Sequence, residues 1–415
     1  MHRVFICANL RESVVQRKIM RFEHLLADRT RIMGVNVIRE ILKVVSQPGM
    51  VSLAGGIPAP ESFPMDKMRE LTERVIDKYG SSAFQYDLTE GFAPLREVLV
   101  EYLRPKGILA AVDEILIASG SQGVLDALGK TLISPGDKIA VEAPTYLGAL
   151  QAFNPYEPQY VRVTMDDDGM VPESLEEVIA AHRIKFVYTV PTFQNPTGRS
   201  IALERRKRIA EIIQRHDALL IEDDPYSALR YRGEPLPPIR SFAPEHVLYV
   251  TTMSKILAPG LRLGICVAPP LMKKWLVIVK QGVDLHTNTF SQAIAAEYLA
   301  GGYLDEQLPK IVNLYRPKLE AMLNALTAHF PPSFTFSKPE GGMFVWAEGP
   351  AGLDTEHLYW KAVERKVAYV PGKFFYTQKG EGNGTMRLNF TMSDEATITR
   401  AVQTLGDVMR DALRA

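Results

Sequence analysis

Between about residue 114 and residue 267, short β-rich runs alternate with stretches of ten or more residues whose apolar positions recur at helical spacing. Short strands separated by helix-length segments do not close as hairpins. They pair as a mainly parallel sheet with helices on both faces. Strands are expected at 115–118, 138–142, 186–190, 219–222, 248–251 and 264–267. Helices between them include 121–133 and 203–216, the second with Ile209, Ile212 and Ile213 facing inward. The fold class this pattern predicts is α/β.

The flanking chain has a different texture. Val35, Ile38, Ile41, Leu42 and Val45 mark a helix ended by Gln47-Pro48-Gly49, and Arg39 projects from it. Val51-Ser52 reads as a brief strand running into a Gly55-Gly56 turn, after which Pro58, Pro60 and Pro64 keep a connector extended. Helices are expected at 66–79 and 92–103, with Tyr86 and Gly91 on the loop between them. Beyond about residue 305 come a long helix to 328, strands around Phe334 and Phe344, a helix over 355–364, and a closing strand and helix after Met386. The expected organisation is an N-terminal extension at 1–30 and a helix and connector at 31–65 contributing to the active site and the small domain. A large domain at 66–305 and a small α+β domain at 306–415 complete it.

Charge and cysteine usage exclude whole classes of partner. The 48 basic and 48 acidic side chains cancel, which removes the broad field that nucleic acid or an anionic membrane requires. No apolar run approaches the ~20 residues needed to span a bilayer. Cys7 and Cys266 are too few for a disulfide framework, and the eight histidines show no paired metal-binding spacing. Residues 1–10 are too short in apolar content for a signal peptide. The arginine-rich segment after them carries Glu12, Glu23 and Asp28, unlike a transit peptide, and Met20 is a possible alternative start. A cytoplasmic protein with a small-molecule partner and no metal is expected.

Ligands of open α/β sheets collect at strand ends, and the polar clusters of this chain sit there. The loop Thr251 to Gly264 places Lys255 and Arg262 among the hydroxyls of Thr252 and Ser254. A lysine so held can form a Schiff base with a carbonyl, and an arginine with hydroxyls suits a phosphate; pyridoxal phosphate carries both groups. Ser119-Gly120-Ser121-Gln122-Gly123 opens a helix whose free amides could hold a phosphate, although a plain N-cap accounts for the same residues. Tyr146, in Glu142-Ala143-Pro144-Thr145-Tyr146, is either a ring over a planar cofactor or a core aromatic. The stretch 191–198 is longer and more polar than a minimal turn, and Asn195 could donate to a phenolic oxygen. Glu222-Asp223-Asp224 puts three acids at one strand end, which calls for a positive partner: a metal ion or, with no histidine nearby, a pyridinium nitrogen. A solvated acidic loop is the plainer reading.

In combination these residues resemble the fold-type I pyridoxal-phosphate aminotransferases of the class I/II group, above all the branch of 2-aminoadipate and kynurenine/aminoadipate aminotransferases. The resemblance runs from about residue 30 to the C-terminus. It rests on Tyr86 with Gly91 and Leu95-Arg96, Ser121-Gln122, Asn195-Pro196-Thr197-Gly198, Asp223 with Tyr226, Ser254-Lys255 through Arg262, Gly341-Gly342-Met343-Phe344, and Arg387. It implies a large domain built on a mainly parallel seven-stranded sheet, a smaller α+β domain, and pyridoxal 5′-phosphate as cofactor.

The resemblance also implies roles. Lys255 would hold the cofactor and then move a proton; Asp223, chosen over Asp224 by the Asp-x-x-Tyr spacing, would pair with the ring nitrogen. Tyr226 and Asn195 would contact its phenolic oxygen, and Tyr146 would stack on the ring. Ser121, Gln122, Ser254 and Arg262 would bind the phosphate, Thr252 keeps a hydroxyl where many relatives have serine, and Tyr86 would reach in from the neighbouring subunit. A homodimer with shared active sites follows. Arg387 would grip the substrate α-carboxylate, and Arg39, with the Gly55-Gly56 turn, the side-chain carboxylate of acidic substrates. The reaction implied is ping-pong transamination of an L-amino acid, whether 2-aminoadipate, glutamate, aromatic or branched-chain, with 2-oxoglutarate or a similar 2-oxo acid. The alternatives are a lyase or decarboxylase on the same fold, and a regulator's ligand-sensing domain, for which about sixty residues before the large domain leave no room for a DNA-binding module.

Overall fold

The computed structural model of the chain describes residues 22–31, 33 and 48–414. The helix expected over 35–45, with Arg39, lies outside the described residues. The central element is a seven-stranded sheet built from β1 (Ile115–Ser119), β2 (Lys138–Glu142), β3 (Gln159–Val163), β4 (Ile184–Thr189), β5 (Leu220–Asp223), β6 (Val247–Thr252) and β7 (Leu263–Val267). Their order across the sheet is β1-β7-β6-β5-β4-β2-β3. From β3 to β6 all pairs are parallel, whereas β7 runs antiparallel to both β6 and β1.

Connection length explains the exception. Residues 253–262 join β6 to β7 with two short 3-10 turns and no crossover helix, so the chain must double back beside the strand it left. The returning strand starts where β1 ends, with Leu263 opposite Ser119. One edge of the sheet therefore gathers the C-terminal ends of β1, β2, β4, β5 and β6 around the β6–β7 loop.

Helices cover both faces, so the inner strands are buried throughout and read as near-continuous apolar runs. Alternate side chains enter different cores: Leu248 and Val250 of β6 join one cluster, and Tyr249 joins another with Ile115, Ile117 and the helices Ala93–Leu103 and Thr289–Ala300. The strand missing from the sequence reading is β3. As an edge strand it is only partly buried, with Val163 alone fully inside, and its Gln-Tyr-Val-Arg-Val lacks the apolar run that marks the others.

A four-stranded antiparallel sheet lies beyond the 27-residue helix Tyr303–His329, with strands Thr335–Phe336, Phe344–Glu348, Thr385–Asn389 and Val370–Pro371 in that order. The pieces at 367–371 are two residues long each, too short to leave a periodic signal. Val51–Ser52 pairs in parallel with Val367–Ala368, which brings the Gly55-Gly56 turn to the site edge. The helices Thr355–Glu364 and Glu395–Arg414 cover this sheet, whose Phe344, Trp346 and Leu388 belong to the same core as Leu248 and Val250. Among the described residues, no helix is long and apolar enough to cross a membrane.

Candidate active site

A cavity of about 290 Å³ opens at the gathered strand ends. Gly56, Ser121, Gln122, Tyr146, Asn195, Asp223, Tyr226, Thr252, Ser254, Lys255, Arg262 and Arg387 all line it. Two further candidates lie elsewhere, one of them, Tyr86, expected in the neighbouring subunit's site and not in this one. Tyr86 lies on the surface, 78% exposed, its ring edge-on to His286 at 5.6 Å; Arg39 is outside the described residues.

Strand parity sorts the three acids at the end of β5. Asp223 shares a face with Ile221, and Glu222 and Asp224 point the other way. Glu222 accepts hydrogen bonds from the backbone N–H groups of Ile239 and Arg240, both 2.9 Å. Asp224 accepts from Tyr249 Oη at 2.8 Å and Ser227 N at 3.0 Å. On the cavity side, Asp223 Oδ2 accepts from the buried Tyr188 hydroxyl at 2.7 Å, while Oδ1 is buried without a partner. Burial raises the Asp223 carboxyl to about 7, with Asp224 adding to the rise and the Tyr188 hydrogen bond opposing it. The charge that looked costly in the sequence is thus largely satisfied by the protein, save for one oxygen.

Lys255 ends the turn Met253–Lys255, whose N-cap Thr252 accepts from Ser254 N at 3.1 Å. Its Nζ donates to Gly56 O at 3.1 Å. Burial, then the positive charges of Arg262 and Arg387, lower its ammonium to about 8, so the free amine is accessible near neutrality. At the opposite wall the helix Ser121–Leu132 presents its N-terminus, and Gln122 Nε2 donates to Gly148 O at 2.7 Å. Close backbone packing shapes this corner: a Cβ on Gly264 would lie 2.2 Å from Gly120 C and 2.4 Å from Ser121 N. Gly120 has φ +79°, a conformation suited to glycine, and Arg262 Nη2 lies 3.4 Å from Ser119 O. Helix amides, the Ser254 hydroxyl and the Arg262 guanidinium line one corner of the cavity, a donor set that could cradle an anion.

Arg387 comes from the middle of the four-stranded sheet, opposite Trp346 and Val370. It is buried, with Cζ 4.3 Å from the Phe344 ring centre and 5.1 Å from that of Phe375. Nη1 donates to Asn195 Oδ1 at 2.8 Å and Nη2 to Ala54 O at 2.6 Å, whereas Nε is buried and unpartnered. Burial lowers its guanidinium to about 10, which leaves it charged at neutral pH. Asn195 Nδ2 in turn lies 3.5 Å from Tyr226 Oη. The loop carrying Asn195 is held from beneath: Gln194 Nε2 donates to Glu142 Oε2 at 2.8 Å and to Pro144 O at 2.9 Å, and Gln194 Oε1 accepts from Thr197 Oγ1. That internal network accounts for the length and polarity of 191–198.

The sequence reading missed Tyr188, Glu142, Phe344 and Phe375 as parts of this machinery. An aromatic in a buried strand looks like packing until the register is known, and only the pairing of Tyr188 with Ile221 puts it beside Asp223. No group of three or more His, Cys, Asp or Glu side chains among the described residues could hold a metal.

A model of the family described as aminotransferase class I and II matches residues 50–405. The chain belongs to this family. Aromatic-amino-acid aminotransferase 1 of Thermococcus litoralis is 46% identical over 400 residues, which cover 95% of this chain and 96% of the relative. The 2-aminoadipate transaminase of Thermus thermophilus is 39% identical over 384 residues, 91% of this chain and 94% of the relative. Among solved structures, the kynurenine aminotransferase of Pyrococcus horikoshii in complex with PMP matches with a TM-score of 0.91 at 43% identity, covering 95% of this chain and 98% of that one. The fold is the type I fold of these enzymes. This aminotransferase moves amino groups between amino acids and 2-oxo acids, with pyridoxal 5′-phosphate as cofactor.

The residues present fit that cofactor. The cavity of the aminotransferase holds two buried polar atoms with unused capacity, Asp223 Oδ1 and Arg387 Nε, one an acceptor for a protonated ring nitrogen and one a donor for a carboxylate. The anion cradle at Ser121, Ser254 and Arg262 and the amine of Lys255 share the same walls.

Proposed function

We propose that this enzyme transaminates a broad set of L-amino acids, with aromatic, branched-chain, glutamate and 2-aminoadipate donors and 2-oxoglutarate as acceptor. The observation that carries the reading is the pair of unpartnered buried atoms, Asp223 Oδ1 and Arg387 Nε, lining one cavity with Lys255. Ile57, Val190 and Pro259 add apolar wall that suits hydrophobic side chains. Relatives named for aromatic amino acids, 2-aminoadipate and kynurenine support the aromatic and 2-aminoadipate part of this range.

When bound, the cofactor supplies an aldehyde and an electron-withdrawing ring that acidifies the substrate α-carbon. The protein does the rest. Ser121, Gln122, Ser254 and Arg262 hold the phosphate, with Thr252 fixing Ser254 through a 2.8 Å hydroxyl contact. With the cofactor bound, Asp223 would keep the ring nitrogen protonated, Tyr146 would offer its ring to the cofactor, and Tyr226 and Asn195 would serve its phenolic oxygen. Arg387, held by Asn195 and Ala54, binds the α-carboxylate and so orients the α-hydrogen. Lys255 Nζ, with its lowered proton affinity, accepts that hydrogen as a proton. In a homodimer Tyr86 completes the phosphate site of the neighbouring subunit, and Arg39 with Gly56 serves acidic side chains.

Holoenzyme given L-glutamate alone should release one 2-oxoglutarate per site and stop, and a panel of donors with 2-oxoglutarate should then turn over. Release of carbon dioxide or a side-chain fragment instead would assign the cavity to a different bond. Arg39→Ala should raise KM for 2-aminoadipate and glutamate while leaving aromatic donors unchanged.

A further inference from the structure

We propose that Tyr188 is a positioning residue that aims Asp223 at the cofactor's ring nitrogen by occupying one carboxylate oxygen and leaving the other free. The inference rests on the role assigned to Asp223 above. Tyr188 is fully buried, and its hydroxyl donates to Asp223 Oδ2 at 2.7 Å. Asp223 Oδ1 has no partner, so the carboxylate has one committed oxygen and one available oxygen.

Geometry makes the division stable. Tyr188 sits on β4 and Asp223 on β5, and Tyr188 is level with Ile221, two residues before Asp223 on the same face. The phenol therefore reaches the carboxylate along the sheet, and Phe153 packs edge-on to its ring with the centroids 5.8 Å apart. A hydrogen bond to a charged acceptor fixes the carboxyl plane and favours its ionised form. Both effects serve a group that must meet a cation from one direction only. Tyr146, Tyr188 and Tyr226 face Asp223, and Asp224 acts on it from the next position of the strand; Lys255, Arg262 and Arg387 line the same cavity, but none of these cations is paired with the carboxylate. Tyr188 consequently supplies stabilisation of the carboxylate where neighbouring charge does not.

The test is a double-mutant cycle on cofactor affinity, measured by titrating apo protein with pyridoxal 5′-phosphate across pH. Tyr188→Phe should weaken binding about tenfold, as expected for loss of one hydrogen bond to a charged group. It should also move upward in pH the midpoint at which Asp223 ionises and affinity is gained. In an Asp223→Asn background the same change should have no further effect, because the phenol acts only through the carboxylate. A 3,5-difluorotyrosine in place of Tyr188 keeps the shape, donates more strongly, and should shift the midpoint the other way. Equal losses from Tyr188→Phe with and without Asp223 would overturn the proposal and leave Tyr188 as packing. If Asp223→Asn itself leaves affinity unchanged, the role of Asp223 fails rather than that of its partner.

Discussion

Arg387 Nη1 donates to Asn195 Oδ1 at 2.8 Å across 192 positions of sequence, tying the four-stranded sheet to the loop after β4 at the cavity wall. The arginine has no carboxylate partner among the described residues, so its charge is held by neutral oxygens and two aromatic faces. A buried guanidinium in that condition is ready for a carboxylate ligand.

Replacing Arg387 with lysine keeps the charge but should still be costly, because one ammonium nitrogen cannot span Asn195, Ala54 and a ligand as three nitrogens of the planar guanidinium can. Arg387→Lys is expected to lower kcat/KM for every amino donor by about 10- to 100-fold, the loss of one or two charge-assisted hydrogen bonds. Asn195→Ala should produce a smaller loss of the same kind. Steady-state kinetics with two donors check it; a loss confined to one donor would mean Arg387 reads side chains instead.

The amine of Lys255, lowered to about 8, should titrate well below an ordinary lysine. In apo protein, amine-directed labelling followed by mass spectrometry should show reactivity rising with pH and levelling above about 8. Burial comes first among the causes, but Arg262 and Arg387 contribute, so Arg387→Gln should move the midpoint upward. A midpoint near that of surface lysines would contradict the assignment.

Three buried acids predict the pH dependence of apo stability. Glu142, Glu222 and Asp223 are each raised to about 7, in every case chiefly by burial. Their folded pKa lies above the unfolded value of about 4, so between the two the native state holds more protons than the unfolded chain. Stability from these groups is full at the acid end of that window and is lost as pH rises through 7. The apo melting temperature should fall between pH 5 and 7.5, by on the order of a few kcal/mol of stability. Cofactor should flatten the slope by giving Asp223 a cation. An apo melting temperature that rises over this interval would refute the prediction.

Gly264→Ala tests the anion cradle. Its Cβ would press on the backbone of Gly120 and Ser121, which cannot yield without moving the helix N-terminus. Stability should drop by about 1 to 3 kcal/mol, and cofactor affinity should fall with it. Thermal melts and cofactor titration would detect both; an unchanged affinity would show that the helix N-terminus does not touch the phosphate.

If Tyr86 serves the neighbouring subunit of a homodimer, as proposed, complementation is expected. Lys255→Ala and Tyr86→Ala variants should each be crippled as pure proteins. Mixed and refolded together, they should regain activity, because hybrid dimers contain one site with neither change. Absence of any recovery, with dimers verified by light scattering, would place Tyr86 outside the neighbouring site.

Much of this protein is local in origin. The alternation of short apolar runs and amphipathic stretches dictates a helix-covered parallel sheet, because each element's burial pattern is written within its own residues. The same locality exposed the polar clusters at Ser121, Asn195, Asp223 and Lys255, since a strand end followed by polar residues is read from a few positions. Tertiary structure decided what depends on register and long-range return. It showed β7 doubling back beside β6, the partly buried edge strand β3, and Tyr188 lying beside Asp223. It also satisfied Glu222 and Asp224 on the far face, leaving Asp223 Oδ1 as the open acceptor. Parity along one strand is set by the chain, but what each face meets is set by neighbours far away in sequence, and Arg387 reaches the cavity only because a second sheet folds back onto the first.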